Sequence, residues 1–233
     1  QAAATTSGAN IIINKPYHHV TDNAVMNSYL LRGIFQNKID KFIFLSCSVM
    51  YPSRKIKQTE KDGQKPYEII DKYFGVGNTK LYIENMCKFY ARISKTNFTI
   101  IRHSNIYGKY DKYDLSNSHF FGASITKVLK ATNKIEVWGN GKEKRNLLHI
   151  SDLCNFIYIS IKKQNSNFEI FNVGDDKVYS VKQVISKIIK YSKKKIRIFY
   201  NKNKPSIKIN TSLNIRKAKK LGWMPKVSID QGI

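Results

Sequence analysis

The sequence is poor in acids. Sixteen Asp and Glu stand against 41 Lys and Arg, for a formal net charge of +25. Such a balance raises the question of a polyanionic partner. The cations, however, are spread along the whole chain among many Asn and Ile residues, which reads as compositional bias, and no nucleic-acid partner is expected. The densest cluster, YSKKKIRIFYNKNK over 191–204, reads either as solvated surface or as a basic patch. Cysteine is scarce as well. Cys47, Cys87 and Cys154 lie far apart, show no metal spacing and cannot all pair within one chain. A reducing, cytoplasmic compartment and no metal follow from that reading. No apolar run approaches the roughly 20 residues of a membrane span, so no membrane association is expected. The opening QAAATTSGAN has neither the basic nor the apolar region of a secretory signal. It also lacks an initiator Met and reads as the interior of a longer chain. The ending VSIDQGI reads as the start of a helix, capped by Ser228 or Asp230 and then cut.

What is present is a regular alternation of element types. Helical spacing over 18–36 has Thr21 or Asp22 as cap, and further helices are predicted over 79–93, 118–132, 151–163 (capped by Ser151) and 180–192 (capped by Ser180). Short apolar runs at 41–47, 97–104, 134–139, 168–174 and 195–200 predict strands, of the kind found in buried parallel sheets. Strands alternating with helices argue for an α/β fold. Ligands in such folds bind at the carboxyl ends of the strands. Three segments follow strands there: SCSVMYP (46–52), HSNIYG (103–108) and GNGKEKRNLLHISD (139–152).

Chemistry-bearing residues cluster in or near these segments. Ser46, Cys47 and Ser48 offer hydrogen-bonding groups at a strand end. Tyr73 precedes Lys80 by about two helical turns, and a lysine cation near a tyrosine favours the phenolate. Gly75 and Gly77 lie between them and make a regular helix there doubtful. Lys80 and Glu84 are four apart, so a surface ion pair is the plain alternative. SNSH (116–119) sets a histidine able to act as an acid near neutral pH, or simply provides Ser116 or Ser118 as a cap. Lys127 and Arg145 flank Trp138, and an arginine fork suits a phosphate.

In order along the chain, QAAATTSGA, SCSVMYP, GNTKLYIENMCKFY, IIRHSNIYG, SNSH, VWGNGKEKRNLLHISD, FNVGDD, SIKIN and LGWMPKVSID resemble the extended short-chain dehydrogenase/reductase superfamily, the NAD-dependent epimerases and dehydratases. SNSH looks most like the GDP-L-fucose synthases within it. The resemblance implies a Rossmann-like doubly wound parallel sheet, its N-terminal strands missing, with a smaller α+β C-terminal part for substrate. It implies that 1–112, with 134–160 returning, belongs to the nucleotide-binding part, and that 113–133 and 161–233 bind substrate. Thr6, Ser7, Lys80 and Asn105 would touch NAD or NADP. Tyr73, Lys80 and His119, with Ser46, Cys47 or Ser48, would carry proton transfer. Ser48, Asn105, His119, Lys127, Trp138 and Arg145 would hold a nucleotide-diphosphate sugar, and the protein would be a homodimer. Four departures stand out: Val76 where the family tyrosine is expected, Cys47 for its Ser or Thr, Val49 for the cysteine that fucose synthases pair with their histidine, and no G-x-x-G-x-x-G turn. The first three favour the alternative of a non-catalytic relative that binds nucleotide sugars, whereas the missing turn, with the missing Met, reads as the loss of the first strands.

Overall fold

The computed structural model describes residues 1–6, 9–65, 68–204 and 210–233. Ser7 and residues 206–209 of SIKIN lie outside them. In chain order the elements are α1 (Ala9–Asn14), α2 (Thr21–Gln36), β1 (Lys41–Cys47), β2 (Lys57–Gln58), α3 (Phe74–Ile93), β3 (Asn97–His103), β4 (Asn105–Tyr107), α4 (Phe120–Lys130) and β5 (Lys134–Trp138). Next come β6 (Lys144–Arg145), β7 (Leu147–His149), α5 (Ile150–Lys163), β8 (Phe168–Val173), β9 (Tyr179–Ser180), α6 (Val181–Ser192), β10 (Arg197–Asn201), β11 (Ser212–Leu213), α7 (Arg216–Lys220) and α8 (Ile229–Gly232).

The central sheet is parallel, in the order β1–β3–β8. Its strands alternate, and both faces are covered. Phe42, Phe44, Phe98 and Ile100 pack with Leu31 and Ile34 of α2 and Ile83, Cys87 and Ala91 of α3. Ile101, Phe171 and Val173 pack on the other face with Leu153 and Phe156 of α5 and with Trp223. Burying side chains of this size contributes roughly 1.5–3 kcal/mol each.

A separate parallel pair, β5 with β10, supports a third cluster. Ile135 and Val137 pack there against Phe121 and Val128 of α4 and Val181, Val184, Ile185 and Ile188 of α6. Of the 134–160 segment, β5 therefore lies in this third cluster, whereas Leu148, Leu153 and Phe156 return to the central sheet. The parallel pair β4–β7 joins the two regions.

Four boundaries differ from the sequence reading. Helix α2 starts at Thr21 with Val20 as its N-cap residue, so neither Thr21 nor Asp22 caps it. Helix α3 begins at Phe74 and runs regularly through Gly75 and Gly77. Those glycines serve close packing: a Cβ on Gly75 would sit 3.0 Å from Val20, and one on Gly77 2.9 Å from Ile69. His119, not Ser116 or Ser118, is the N-cap residue of α4. His149, not Ser151, caps α5, its ring accepting from the Ser151 backbone N–H. Ser180 and Ser228 cap as expected, each in a capping box with a glutamine. Among the described residues no helix is long and apolar enough to cross a membrane.

Candidate active site

The carboxyl ends of β1 and β3 meet side by side, with Cys47 opposite His103 in the register. Behind them runs a buried polar chain. Ser46 Oγ donates to Glu84 Oε1 at 2.6 Å. Arg102 Nη2 binds Glu84 Oε2 at 2.6 Å, and its Nε reaches both carboxylate oxygens. Arg102 Nη1 continues to Tyr51 Oη at 3.1 Å, and Tyr51 donates to Asn172 Oδ1. Burial pushes the Tyr51 hydroxyl up, with Arg102 opposing. The chain holds the 46–60 loop over the strand ends, because Arg102 also donates to the Glu60 carbonyl and Asn172 to that of Gln58.

This network corrects two expectations. The surface pair of Lys80 with Glu84 does not form, since Glu84 faces inward to Arg102. Ser46 is fully buried with its hydroxyl engaged, so it is not placed to touch a ligand. Lys80 instead donates to the Leu45 carbonyl at 3.1 Å and lies over the Phe44 ring. An ammonium has three donors, so Lys80 keeps hydrogen-bonding capacity toward the strand ends. Burial pushes the Cys47 thiol up while Lys80 pulls it down.

His103 donates from Nδ1 to the Ser104 carbonyl at 2.7 Å when that nitrogen carries the proton. Burial lowers its pKa to about 4, the Ser104 carbonyl opposes that shift, and nearby Lys80 and His119 add to it. His119 is likewise lowered, by burial first; Lys112 adds to the shift and Asp111 opposes it. His19 is lowered by burial, His18 and His119. Three histidines near one another are thus kept toward the neutral form.

In front of the strand ends opens a cavity of about 470 Å³. Tyr73, Asn105 and His119 line it together with Lys127, Trp138 and Arg145, the whole substrate set expected from the sequence except Ser48. Ser48 lines a smaller neighbouring recess, which shares Tyr73, Asn105 and Arg145 with the large one. Lys127 stands 5.6 Å from the Trp138 ring centre and donates to the Glu136 carbonyl. Arg145 lies over the Phe120 ring at 5.7 Å. Burial lowers both Lys127 and Arg145, which Glu136 and Tyr73 respectively oppose. The G-N-G turn after β5 aims this wall: Gly139 and Gly141 have φ of 80° and 72°, and a Cβ on Gly141 would collide with the Tyr200 ring.

Tyr73 is the residue immediately before α3, half-buried. Burial pushes its hydroxyl up, Arg145 pulls it part of the way back and Cys47 opposes. Lys80 is not among the groups that shift it. Tyr73 and Arg145 line the same cavity, and Arg145 is the cation that acts on the Tyr73 hydroxyl. Asn105 Nδ2 donates to the Asn146 carbonyl. Thr6 is exposed, and its carbonyl accepts from Lys112 Nζ. The sequence reading did not anticipate Ser118 and Glu143 as lining residues. Glu143 stands two residues before Arg145 and just outside β6, where no strand periodicity marks it. Among the described residues no group of three or more His, Cys, Asp or Glu could hold a metal ion.

The "NAD dependent epimerase/dehydratase family" model matches residues 1–174. The chain belongs to this family. Among curated relatives of this family member, a GDP-L-colitose synthase of Yersinia pseudotuberculosis is 29% identical over 100% of the chain and 77% of the relative. A GDP-L-fucose synthase of Escherichia coli is 26% identical over 100% and 76%. Two solved structures share the fold. One is a UDP-glucose 4-epimerase of Thermotoga maritima, with TM-score 0.85 and 23% identity over 99% of this chain and 72% of that one. The other is a GDP-D-glycero-L-gluco-heptose synthase of Campylobacter jejuni, with TM-score 0.82 and 19% identity over 99% and 78%.

Proposed function

We propose that this family member is a cytoplasmic NAD(P)-dependent epimerase or reductase of nucleotide-diphosphate sugars, similar to GDP-L-fucose synthase and acting on a GDP-4-keto-6-deoxyhexose. One observation carries the reading: Tyr73 and His119, two proton-handling groups, share a single cavity with Lys127, Arg145 and an aromatic wall. The cofactor fits the donor set, since Lys80 retains free donors at the β1 end. With Asn105, Lys80 would hold the nicotinamide ribose. NAD(P) supplies or accepts the hydride when bound. Tyr73, kept protonated by burial, donates its proton to the sugar oxygen that becomes a hydroxyl, and Arg145 stabilises the phenolate left behind. His119, mostly neutral, accepts a proton at the sugar and returns it, with His103 beside it. Lys127 and Arg145 bind the diphosphate, and Trp138 stacks on the base. We also propose a homodimer through α2 and α3, which present exposed Val25, Tyr29, Phe35, Tyr82, Phe89 and Ile93.

The test is turnover of GDP-4-keto-6-deoxymannose with NADPH or NADH, followed by absorbance. Tyr73→Phe is expected to lower turnover about 10²–10⁴-fold while calorimetry shows GDP-sugar binding retained. Unchanged turnover removes Tyr73 from the mechanism. The second reading, a non-catalytic nucleotide-sugar binder, is favoured by Val76, Cys47 and Val49 at three positions of the family pattern; it is the outcome in which wild type binds GDP-sugar without turnover.

A further inference from the structure

Glu143 is a charged side chain in the wrong place for an anion site. It lies just before β6, two residues before Arg145, and lines the same cavity as both cations. It is 7% exposed. Its Oε2 is buried and has no hydrogen-bond partner among the described residues. Its backbone is not the reason for its burial, since the carbonyl is satisfied by the Val181 N–H at 2.8 Å. Its position is fixed from both sides: the β6–β9 antiparallel pair holds Arg145 against Tyr179, and the Lys182 N–H binds the Gly141 carbonyl. A buried acceptor left unmatched is destabilising. Glu143 also lines the cavity, so a ligand bound there can supply the missing partner.

A carboxylate only accepts. The matching group must therefore donate, and a diphosphate has no donor. Arg145 and Lys127 fix the diphosphate along this wall, and Glu143 stands beside Arg145 on the same run of chain. The donors adjacent to a diphosphate in a sugar nucleotide are the hydroxyl pairs of the rings on either side of it. We propose that Glu143 is a specificity-determining residue that accepts hydrogen bonds from a vicinal diol next to the diphosphate, supplied by the ribose or by the hexosyl ring. The inference rests on the sugar-nucleotide reading above. It gives that site a means of telling a ribonucleotide sugar from a polyphosphate of the same charge.

The experiment is isothermal titration calorimetry of the full chain with GDP, 2′,3′-dideoxy-GDP and GDP-mannose. It compares wild type with Glu143→Leu and with Glu143→Gln, a second near-isosteric change in case the first does not fold. If the ribose supplies the diol, wild type prefers GDP over dideoxy-GDP by roughly ten- to a hundredfold; Glu143→Leu abolishes the preference and Glu143→Gln, which keeps one acceptor oxygen, reduces it. If the hexosyl ring supplies it, the variants lose affinity for GDP-mannose alone. Equal affinity of wild type and variants for all three ligands, or an equal loss for all three, overturns the proposal. Failure of wild type to bind any of them overturns the sugar-nucleotide reading itself.

Discussion

Glu84 shows how much one buried charge decides. It neutralises Arg102, which is 1% exposed, and accepts from Ser46 in the same enclosure. Removing the charge of one partner leaves the other buried without compensation, at a cost of about 3–5 kcal/mol. Glu84→Gln is therefore expected to lower the urea midpoint strongly. Arg102→Met with Glu84→Leu should recover much of the loss, since apolar replacement of both partners restores a consistent interior. A Glu84→Gln protein as stable as wild type would mean that the pair is dispensable. None of this was legible in sequence. Four-residue spacing pointed Glu84 at Lys80, and its real partner lies on β3, in a position that only the folded sheet brings close. That His119, Lys127, Trp138 and Arg145 belong together was legible because their segments carry the family's spacing, and they line one cavity. Tyr73 was legible as a cavity residue, whereas the glycines that suggested a break in α3 instead let Val20 and Ile69 approach.

At the level of elements, α4 carries His119 at its start and Lys127 near its end, so its seating sets both ends of the cavity. Gly122 fixes that seating. A Cβ there would overlap the Lys112 carbonyl oxygen, a backbone atom that cannot swing aside. The 110–113 segment is held in turn by Thr126, which donates to the Tyr113 carbonyl at 2.5 Å, and by Tyr113, which donates to that of Gly108. Gly122→Ala should cost about 1–3 kcal/mol, as overpacking does, and lower the thermal midpoint by about 2–4 °C per kcal/mol. It should also weaken GDP-sugar binding, because Asp111 and Lys112 flank His119. A stable variant with unchanged affinity would show that the helix is not set by this contact. The order and type of the larger elements were readable from periodicity. The pairing of β5 with β10, and hence a third hydrophobic cluster under the cavity, was not, because a short apolar run carries no record of which sheet it joins.

For the whole molecule, the unusual surface is the pair α2–α3. These helices pack together, and Ser28 and Tyr82 share a hydrogen bond at 3.0 Å across them. Exposed aromatic and aliphatic side chains on both make a face suited to self-association. Light scattering at micromolar concentration should give twice the chain mass, and Tyr29→Glu combined with Phe89→Glu should give the single mass with the far-ultraviolet circular dichroism retained. A monomeric wild type removes the dimer.

The central sheet has one more consequence, in time. Lys41 pairs with Asn97 and Phe98 with Phe168, so neither ladder closes until a long, helix-bearing stretch has found its place. Parallel pairing of this kind is intrinsically slow. While it is pending, Phe42, Phe44, Phe98 and Ile100 stand on unpaired edges that other copies can reach. A formal charge of +25 repels those copies throughout the interval. The excess of positive charge thus bears on the unfinished chain as well as on the finished one.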